Sequence, residues 1–554
     1  MEKIWLKSYP PGVPAEIDWR QPASIGALFE KCAVEYAQRP AYINMGRTIT
    51  FSDVRRMSHA FGAWLQSRGI ARGARVAIML PNCLQYPPAL FGALLAGCVV
   101  VNVNPLYTPR ELEHQLRDSG AEVIVILENF AHVLQEVIAR TGVKQVVVAA
   151  LGDLLGLKGL VVNVVLRHIQ KKVPAWNLPG SVRFNAMLAE GEALGFRPTE
   201  VGQEDVALLQ YTGGTTGTAK GATLLHRNIV ANVEQSSAWL VPFIGTDPQV
   251  MITALPLYHI FSLTANCLTM MKIGGCNVLI TNPRDIPGFV KELGRHRFTM
   301  ITGVNTLFNA LLNNENFPKL DFSALRVSLG GGMAVQKAVA DRWKAVTGCT
   351  LVEAYGLSET SPGVTINPLD IAEYNGAIGL PISSTEVEIR GEGGRALPIG
   401  ESGEICVRGP QVMRGYWNRP EETAAAISAD GFFASGDIGI MDDKGFVRIV
   451  DRKKDMIIVS GFNVYPNEIE GVVAMHPGVL ECAAVGVPDE HSGEAVKLYV
   501  VKKDPALTED ALMQHCRQNL TGYKRPKSVE FRTELPKTNV GKILRRALRE
   551  TPPA

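Results

Sequence analysis

Between residues 75 and 150 the chain repeats one unit, a short run of β-branched residues followed by a helical stretch, and few folds can be built from it. Residues 75–80 (RVAIML), 99–103, 122–127 and 144–149 are too short for helices and rich in Val and Ile, so each reads as a buried strand. The stretch between the second and third carries its own boundary marks. Thr108-Pro109-Arg110-Glu111 forms a capping box with proline at the first helical position, and Gly120 follows the last turn. Strand and helix alternating in this way build a parallel sheet covered by helices. The pattern returns at 276–280, 298–302, 325–329 and 350–353, which predicts two α/β layers in one large N-terminal domain.

From about residue 383 the texture changes. Short alternating strands (EVEIR, GEICVRG, FVRIV) sit between glycine-rich turns and predict a β-rich subdomain over about 383–450. A compact charged run, Asp451-Arg452-Lys453-Lys454-Asp455, separates it from residues 456–554, where helix and strand alternate again in a segment the size of a small α+β domain. Taken alone, such a run is a solvated turn. A chain of 554 residues exceeds what one hydrophobic core holds, so two or more domains are expected, and the change of texture places them at 1–450 and 456–554.

Composition narrows the function. A net charge of +2 gives no reason to expect nucleic acid as a partner. Nine cysteines without a CxxC pair, mostly in apolar surroundings, read as reduced core thiols and fit the cytoplasm. The N-terminus lacks the apolar stretch of a secretory signal, and no run reaches the ~20 apolar residues of a membrane span.

The strongest chemical signal is Tyr211-Thr212-Gly213-Gly214-Thr215-Thr216-Gly217-Thr218-Ala219-Lys220-Gly221. Glycines let several backbone N–H groups converge on one anion, threonine hydroxyls add donors, and the lysine adds positive charge for phosphate oxygens. The NTPase P-loop ends in Gly-Lys-Ser/Thr, whereas here the lysine follows alanine, so the loop holds phosphate in another fold.

This loop closely resembles that of the adenylate-forming superfamily, and further motifs follow in the superfamily's order. Residues 255–261 (LPLYHIF) look like its LPxxH segment. Residues 353–360 (EAYGLSET) and 435–437 (SGD) are similar to its YGxTE and TGD motifs, each with serine for threonine. Residues 451–455 look like its hinge, and 536–542 (PKTNVGK) match its PxTxxGK. The likeness runs from near residue 45 to near 546. Residues 430–470 resemble the fatty acyl-CoA synthetase signature, most closely that of bacterial long-chain fatty acid–CoA ligases, departing from it at Phe433, Ser435 and Ile458.

The resemblance implies ATP, Mg²⁺ and coenzyme A as co-substrates and cofactor, and a long-chain fatty acid as substrate. Aryl or medium-chain acids, or a carrier protein in place of coenzyme A, stay open as alternatives, as does an oligomer. By the same resemblance Asp437 holds the ribose with Arg452 nearby, Tyr355 offers a ring face to adenine, and Gly331, Gly332 and Gly356 let backbone approach the nucleotide. Ser358 belongs to the same nucleotide site. Glu359 and Thr212 hold Mg²⁺. His259 walls the pocket near the reacting carboxylate, and Lys542 meets the α-phosphate in the first step. Lys454 is the pivot about which a mobile C-terminal domain turns, and Gly461 then lets the pantetheine arm pass. Residues near 261–271 and 304–312 are expected to line the acyl tunnel.

The segment 151–176 includes LLGLKGLVVNVVLRHIQKKVPAW, an apolar stretch followed by Arg167, His168, Lys171, Lys172 and then Trp176. These are the ingredients of a helix lying in a membrane interface, which would place the enzyme peripherally on the inner face of the membrane. The competing reading is a helix packed on the N-terminal domain with a solvated basic end.

Overall fold

The computed structural model describes residues 2–212, 219–460, 462–489, 491–538 and 541–549. The repeating units of the N-terminal half build two large sheets. In one, six parallel strands lie in the order Val206–Thr212, Val99–Asn102, Arg75–Met79, Ala121–Leu127, Gln145–Ala149 and Val182–Arg183, with Lys220–Leu225 and Gly415–Tyr416 added antiparallel at one edge. In the other, Leu351–Gly356, Val327–Gly330, Met300–Gly303, Val250–Thr253, Cys276–Leu279 and Pro40–Asn44 run parallel. Antiparallel strands close both of its edges.

The parallel strands are apolar on both faces because both are covered: Val76, Ala77, Ile78 and Met79 are fully buried. The helix Tyr86–Leu95 is buried at every position and shares one core with residues of both sheets, so it and its neighbours fill the layer between them. The predicted helix forms as Pro109–Ser119. Thr108 and Glu111 make the reciprocal capping box, and Gly120 ends the helix at φ 64°, a left-handed conformation that only glycine adopts without strain.

The predicted β-rich segment is a four-stranded antiparallel sheet of Glu386–Arg390, Gly403–Arg408, Phe433–Met441 and Val447–Arg452. The C-terminal domain follows: two long antiparallel strands, Val479–Asp489 and Gly493–Lys502, flanked by Ile457–Val459, Phe462–Val464 and Ser528–Arg532, with helices Pro466–Ala474 and Glu509–Asn519 packed alongside.

Two expectations need correction. The charged run 451–455 is not wholly a solvated turn: Asp451 and Arg452 end a strand, and Asp451 is completely buried. Its carboxylate accepts from Asn467 N (2.8 Å) and faces Arg545 (3.4 Å), which also binds Glu470 (2.7 Å). Nor is 154–176 one long helix. A helix Leu157–Val164 passes into a single π turn, Val165–Ile169, and Trp176 lies beyond it under Arg183. Arg167 is part-exposed, and its charge is already paired within the fold. Its guanidinium makes a bidentate pair (2.9 and 2.7 Å) with the buried Glu128.

Candidate active site

The carboxyl ends of the parallel strands of both sheets open on one continuous cavity of about 1580 Å³, the usual place for a ligand in an open α/β sheet. Tyr211, Thr212 and Lys220 reach it from the first sheet; Gly331, Gly332, Tyr355 and Gly356 reach it from the second. Asp437, Arg452 and Lys454 come from the β-rich subdomain and the turn after it, and Lys542 comes from the C-terminal domain. Residues 213–218 and Gly461 lie outside the described residues, so Gly213, Gly214, Thr215, Thr216, Gly217 and Gly461 have no structural account.

Asp437 is nearly fully buried, and its position is fixed by two contacts to its side chain and one to its backbone. Tyr355 Oη donates to its Oδ2 (2.6 Å), Arg452 Nε lies 3.3 Å from Oδ1, and Ser435 Oγ accepts from its backbone N–H (3.1 Å). The serine at 435 therefore does the turn-closing work expected of threonine. Strand pairing sets Asp437 directly opposite Arg452, so the acceptor and the cation are fixed by register.

The lysine-bearing loop is seated across the domain boundary. Thr306 Oγ1 donates to Gly541 O (3.0 Å), and Asn309 Nδ2 donates to Leu480 O (3.0 Å). The loop closes on itself through Thr538 N to Lys542 O (2.7 Å). Gly332 is required here twice over. Its φ is 78°, and a Cβ would stand 3.3 Å from Lys542 Cε, so glycine lets the lysine stem pass. Burial, reinforced by the neighbouring Arg452, pulls the Lys542 ammonium down to about 8, and the same causes bring Lys454 to about 8. A cavity that crowds three cations is built to receive a polyanion.

His259 caps the turn Ile260–Ser262, its Nδ1 accepting from Phe261 N (3.4 Å). Burial, with the charge of Lys542 nearby, lowers its pKa to about 3, so the imidazole is neutral at any working pH with its proton on Nε2. Glu359 is buried, and burial raises its pKa; Tyr416 Oη donates to its Oε1 at 2.9 Å. Ser358 begins the same short helical turn. Among the described residues no group of three or more His, Cys, Asp and Glu could bind a metal alone. A single carboxylate with a hydroxyl beside a phosphate site suits Mg²⁺, which keeps waters and takes phosphate oxygens.

Several participants carry no local sequence signal. Tyr416 orients Glu359, and Glu422 pairs with the loop lysine Lys220, which lies 5.3 Å from the Tyr416 ring centre. Asp118 accepts from Tyr211 Oη (2.7 Å) and from Arg419 (2.8 Å), anchoring the strand that leads into the phosphate loop.

The apolar part of the cavity also differs from expectation. Phe261, Thr264, Ala265 and Thr269 line it as predicted, but of 304–312 only Asn305, Thr306 and Asn309 do. Phe308 and Leu311 point the other way, into a core around Trp343, with the Phe308 ring 4.7 Å from that of Trp343. Further apolar walls include Trp239, Leu240, Met251, Met300, Val327 and Leu329. Phe308→Ala is therefore expected to cost about 3–5 kcal/mol of stability in denaturant unfolding and to leave acyl preference unchanged.

Residues 29–417 match the model of the AMP-binding enzyme family, and residues 468–542 match that of the AMP-binding enzyme C-terminal domain. The chain is 58% identical to the long-chain-fatty-acid–CoA ligase of Yersinia pestis, over 99% of this chain and 98% of that one. It is 54% identical to the protein of the same name from Haemophilus influenzae, with the same coverage. Among solved structures, an anthranilate CoA ligase in complex with anthranoyl-AMP superposes with a TM-score of 0.84 at 25% identity, covering 97% of each chain.

Proposed function

Because the chain belongs to the AMP-binding enzyme family, we propose that it joins a long-chain fatty acid to coenzyme A in two steps at this one cavity. The observation that carries the reading is the convergence of Lys542, from the C-terminal domain, with Arg452 and the Tyr355–Asp437 pair at the mouth of an apolar cavity. In the first step a carboxylate oxygen of the acid attacks the α-phosphorus of ATP, and pyrophosphate leaves. In the second, the coenzyme A thiolate attacks the acyl carbon, the C–O bond to AMP breaks, and AMP departs with that oxygen.

The residues divide the work by their chemistry. Asp437 accepts from the ribose hydroxyls and Arg452 neutralises charge beside it. Tyr355 and the Gly331–Gly332 backbone hold the base. Thr212 and Lys220 begin and end the phosphate loop. Glu359 and Thr212 would hold Mg²⁺, which supplies charge screening for the phosphates. Neutral His259 donates from Nε2 toward the carboxylate and shapes the passage to the acyl cavity. Lys542 places its ammonium where negative charge grows on the α-phosphate. The turn at Lys454 lets the C-terminal domain withdraw that lysine before the thiol arrives.

A substrate panel tests the assignment: AMP release from 8-, 12-, 16- and 18-carbon acids and from cinnamate, with coenzyme A and with an acyl carrier protein. The expected result is the highest kcat/KM for 12- to 18-carbon acids with coenzyme A. Preference for cinnamate, or release only with the carrier, would replace this reading by an aryl ligase or a carrier-loading enzyme.

We also propose that the enzyme collects its acid at a membrane surface. On the helix Leu157–Val164 the residues Leu157, Leu160, Val161 and Val164 fall at i, i+3, i+4 and i+7, and all four side chains are exposed, Leu157 at 86%. Exposed Lys171 and Lys172 stand just beyond. A contiguous apolar face next to cations suits the interface of an anionic bilayer, and no helix of the described residues is long and apolar enough to cross one. Wild type is expected to co-sediment with vesicles containing phosphatidylglycerol, more at low than at moderate salt, and the Leu160→Glu/Val161→Glu variant to stay in the supernatant. Equal sedimentation of the two proteins, or none by wild type, excludes this role. Arg167 is left unchanged because reversing its charge would set a second carboxylate against buried Glu128, which Arg183 alone would then neutralise.

A further inference from the structure

Strand register puts three apolar residues in one row across the floor of the acyl cavity. Met251 pairs with Met300, and Met300 pairs with Val327, on three adjacent parallel strands. Their neighbours Ile252 and Ile301 belong to the core on the opposite face of the sheet, as the period-two alternation of a strand requires. Two residues further along, Thr253 and Thr302 occupy the cavity side of the same sheet. Asn266 of the π turn Leu263–Leu268 bonds both of them (3.2 and 3.0 Å), which fixes the opposite wall at this level. The row thus lies at the strands' entering ends, while the reacting groups gather at their carboxyl ends.

The distance sets a scale. Gly331 borders the nucleotide part of the cavity, and Val327 stands four residues earlier, about 13 Å along a strand and so the length of an alkyl chain of roughly ten carbons. The row itself belongs to a buried apolar cluster that also holds Leu240, Ile244 and Met270. Arg326 pins the helix end here by donating to Phe243 O and Ile244 O, both at 2.9 Å. A longer chain that runs along this sheet meets the two methionine side chains. Methionine is the apolar residue best able to yield, being unbranched and flexible.

We infer that Met251, Met300 and Val327 form a soft threshold that separates medium from long acyl chains, the methionines giving way to chains of more than about ten carbons. The inference rests on the fatty acid ligase reading and adds the residues that set chain length. Acids shorter than the threshold make no contact with the row; longer ones must displace it, so substitutions there act on long acids alone.

The test is the ratio of kcat/KM for 16-carbon and 8-carbon acids in wild type, Val327→Phe and Met300→Ala, with thermal unfolding as the check on folding. Val327→Phe is expected to lower that ratio by about 10²-fold, the range in which apolar pockets discriminate by size. Met300→Ala removes volume and is expected to raise turnover of a 20-carbon acid relative to 16-carbon by roughly threefold or more. A folded Val327→Phe enzyme with the wild-type ratio overturns the threshold. If Val327→Phe fails to fold, an unchanged 20-carbon preference in Met300→Ala overturns it instead. Failure of wild type to turn over any fatty acid is a different result, and it removes the ligase reading itself.

Discussion

Lys542→Ala is expected to slow acyl-AMP formation by about 10²–10³-fold, as deleting one preorganised charge stabiliser does, while thioester formation from supplied acyl-AMP stays near its normal rate. The lysine stem passes closely over Gly332, and Thr306 holds the Gly541 carbonyl from the N-terminal domain, so the lysine's contribution is tied to one domain arrangement. The pH dependence carries the same signature. Burial and Arg452 lower the pKa of this lysine to about 8, so the charge is present below that pH and is lost as pH rises through it. In stopped-flow measurements of the first half-reaction, kcat/KM for ATP is expected to fall above about pH 8. Lys542→Arg, which keeps its charge to far higher pH, is expected to show a shallower fall, the remainder coming from Lys454, which also loses its charge near pH 8. Equal loss of both half-reactions in Lys542→Ala would mean that the lysine supports the fold and not the first step.

Lys454→Pro is expected to have the opposite profile, sparing acyl-AMP formation and lowering thioester formation by at least about 10²-fold, because proline fixes φ at the proposed pivot. On the proposed roles, the arrangement with Lys542 in the cavity is that of the first step. Asp451, before the pivot, is bonded by Asn467 and Arg545, and Arg545 also meets Asp455 at 3.5 Å and Glu470. A turn at Lys454 must part Asp451 from these donors, so the same contacts that seat Lys542 resist its withdrawal. Each half-reaction measured separately on soluble, folded Lys454→Pro checks this. Equal retention of both would count against alternation of the C-terminal domain.

What the sequence made legible was what is local. The helix Pro109–Ser119 declares both ends within thirteen residues, and the parallel strands announce themselves by being apolar on both faces. The motif residues Asp437, Glu359 and Lys542 could be placed because each stands in a fixed short pattern. Partners supplied from afar could not. Tyr416 reaches Glu359 across 57 residues, and Arg545 reaches Asp451 across 94, so the charged run at 451–455 looked solvated when half of it is enclosed. Arg167 looked available to lipid because Glu128, 39 residues earlier, is invisible to a local reading. Phe308 and Met300 show the same limit in apolar residues. Composition says that both are buried, and only the sheet decides that Met300 faces the cavity while Phe308 faces Trp343.

The most direct measurement is the fate of carboxylate oxygen. A 16-carbon acid labelled with oxygen-18 in both carboxyl positions is turned over with ATP and coenzyme A, and the products are resolved by mass spectrometry. Attack of the carboxylate on the α-phosphorus, followed by cleavage of the acyl C–O bond, predicts one labelled oxygen in every AMP and none in pyrophosphate. Unlabelled AMP, or label appearing in inorganic phosphate alongside ADP, would contradict an acyl-adenylate intermediate and with it the roles given to Lys542 and Asp437.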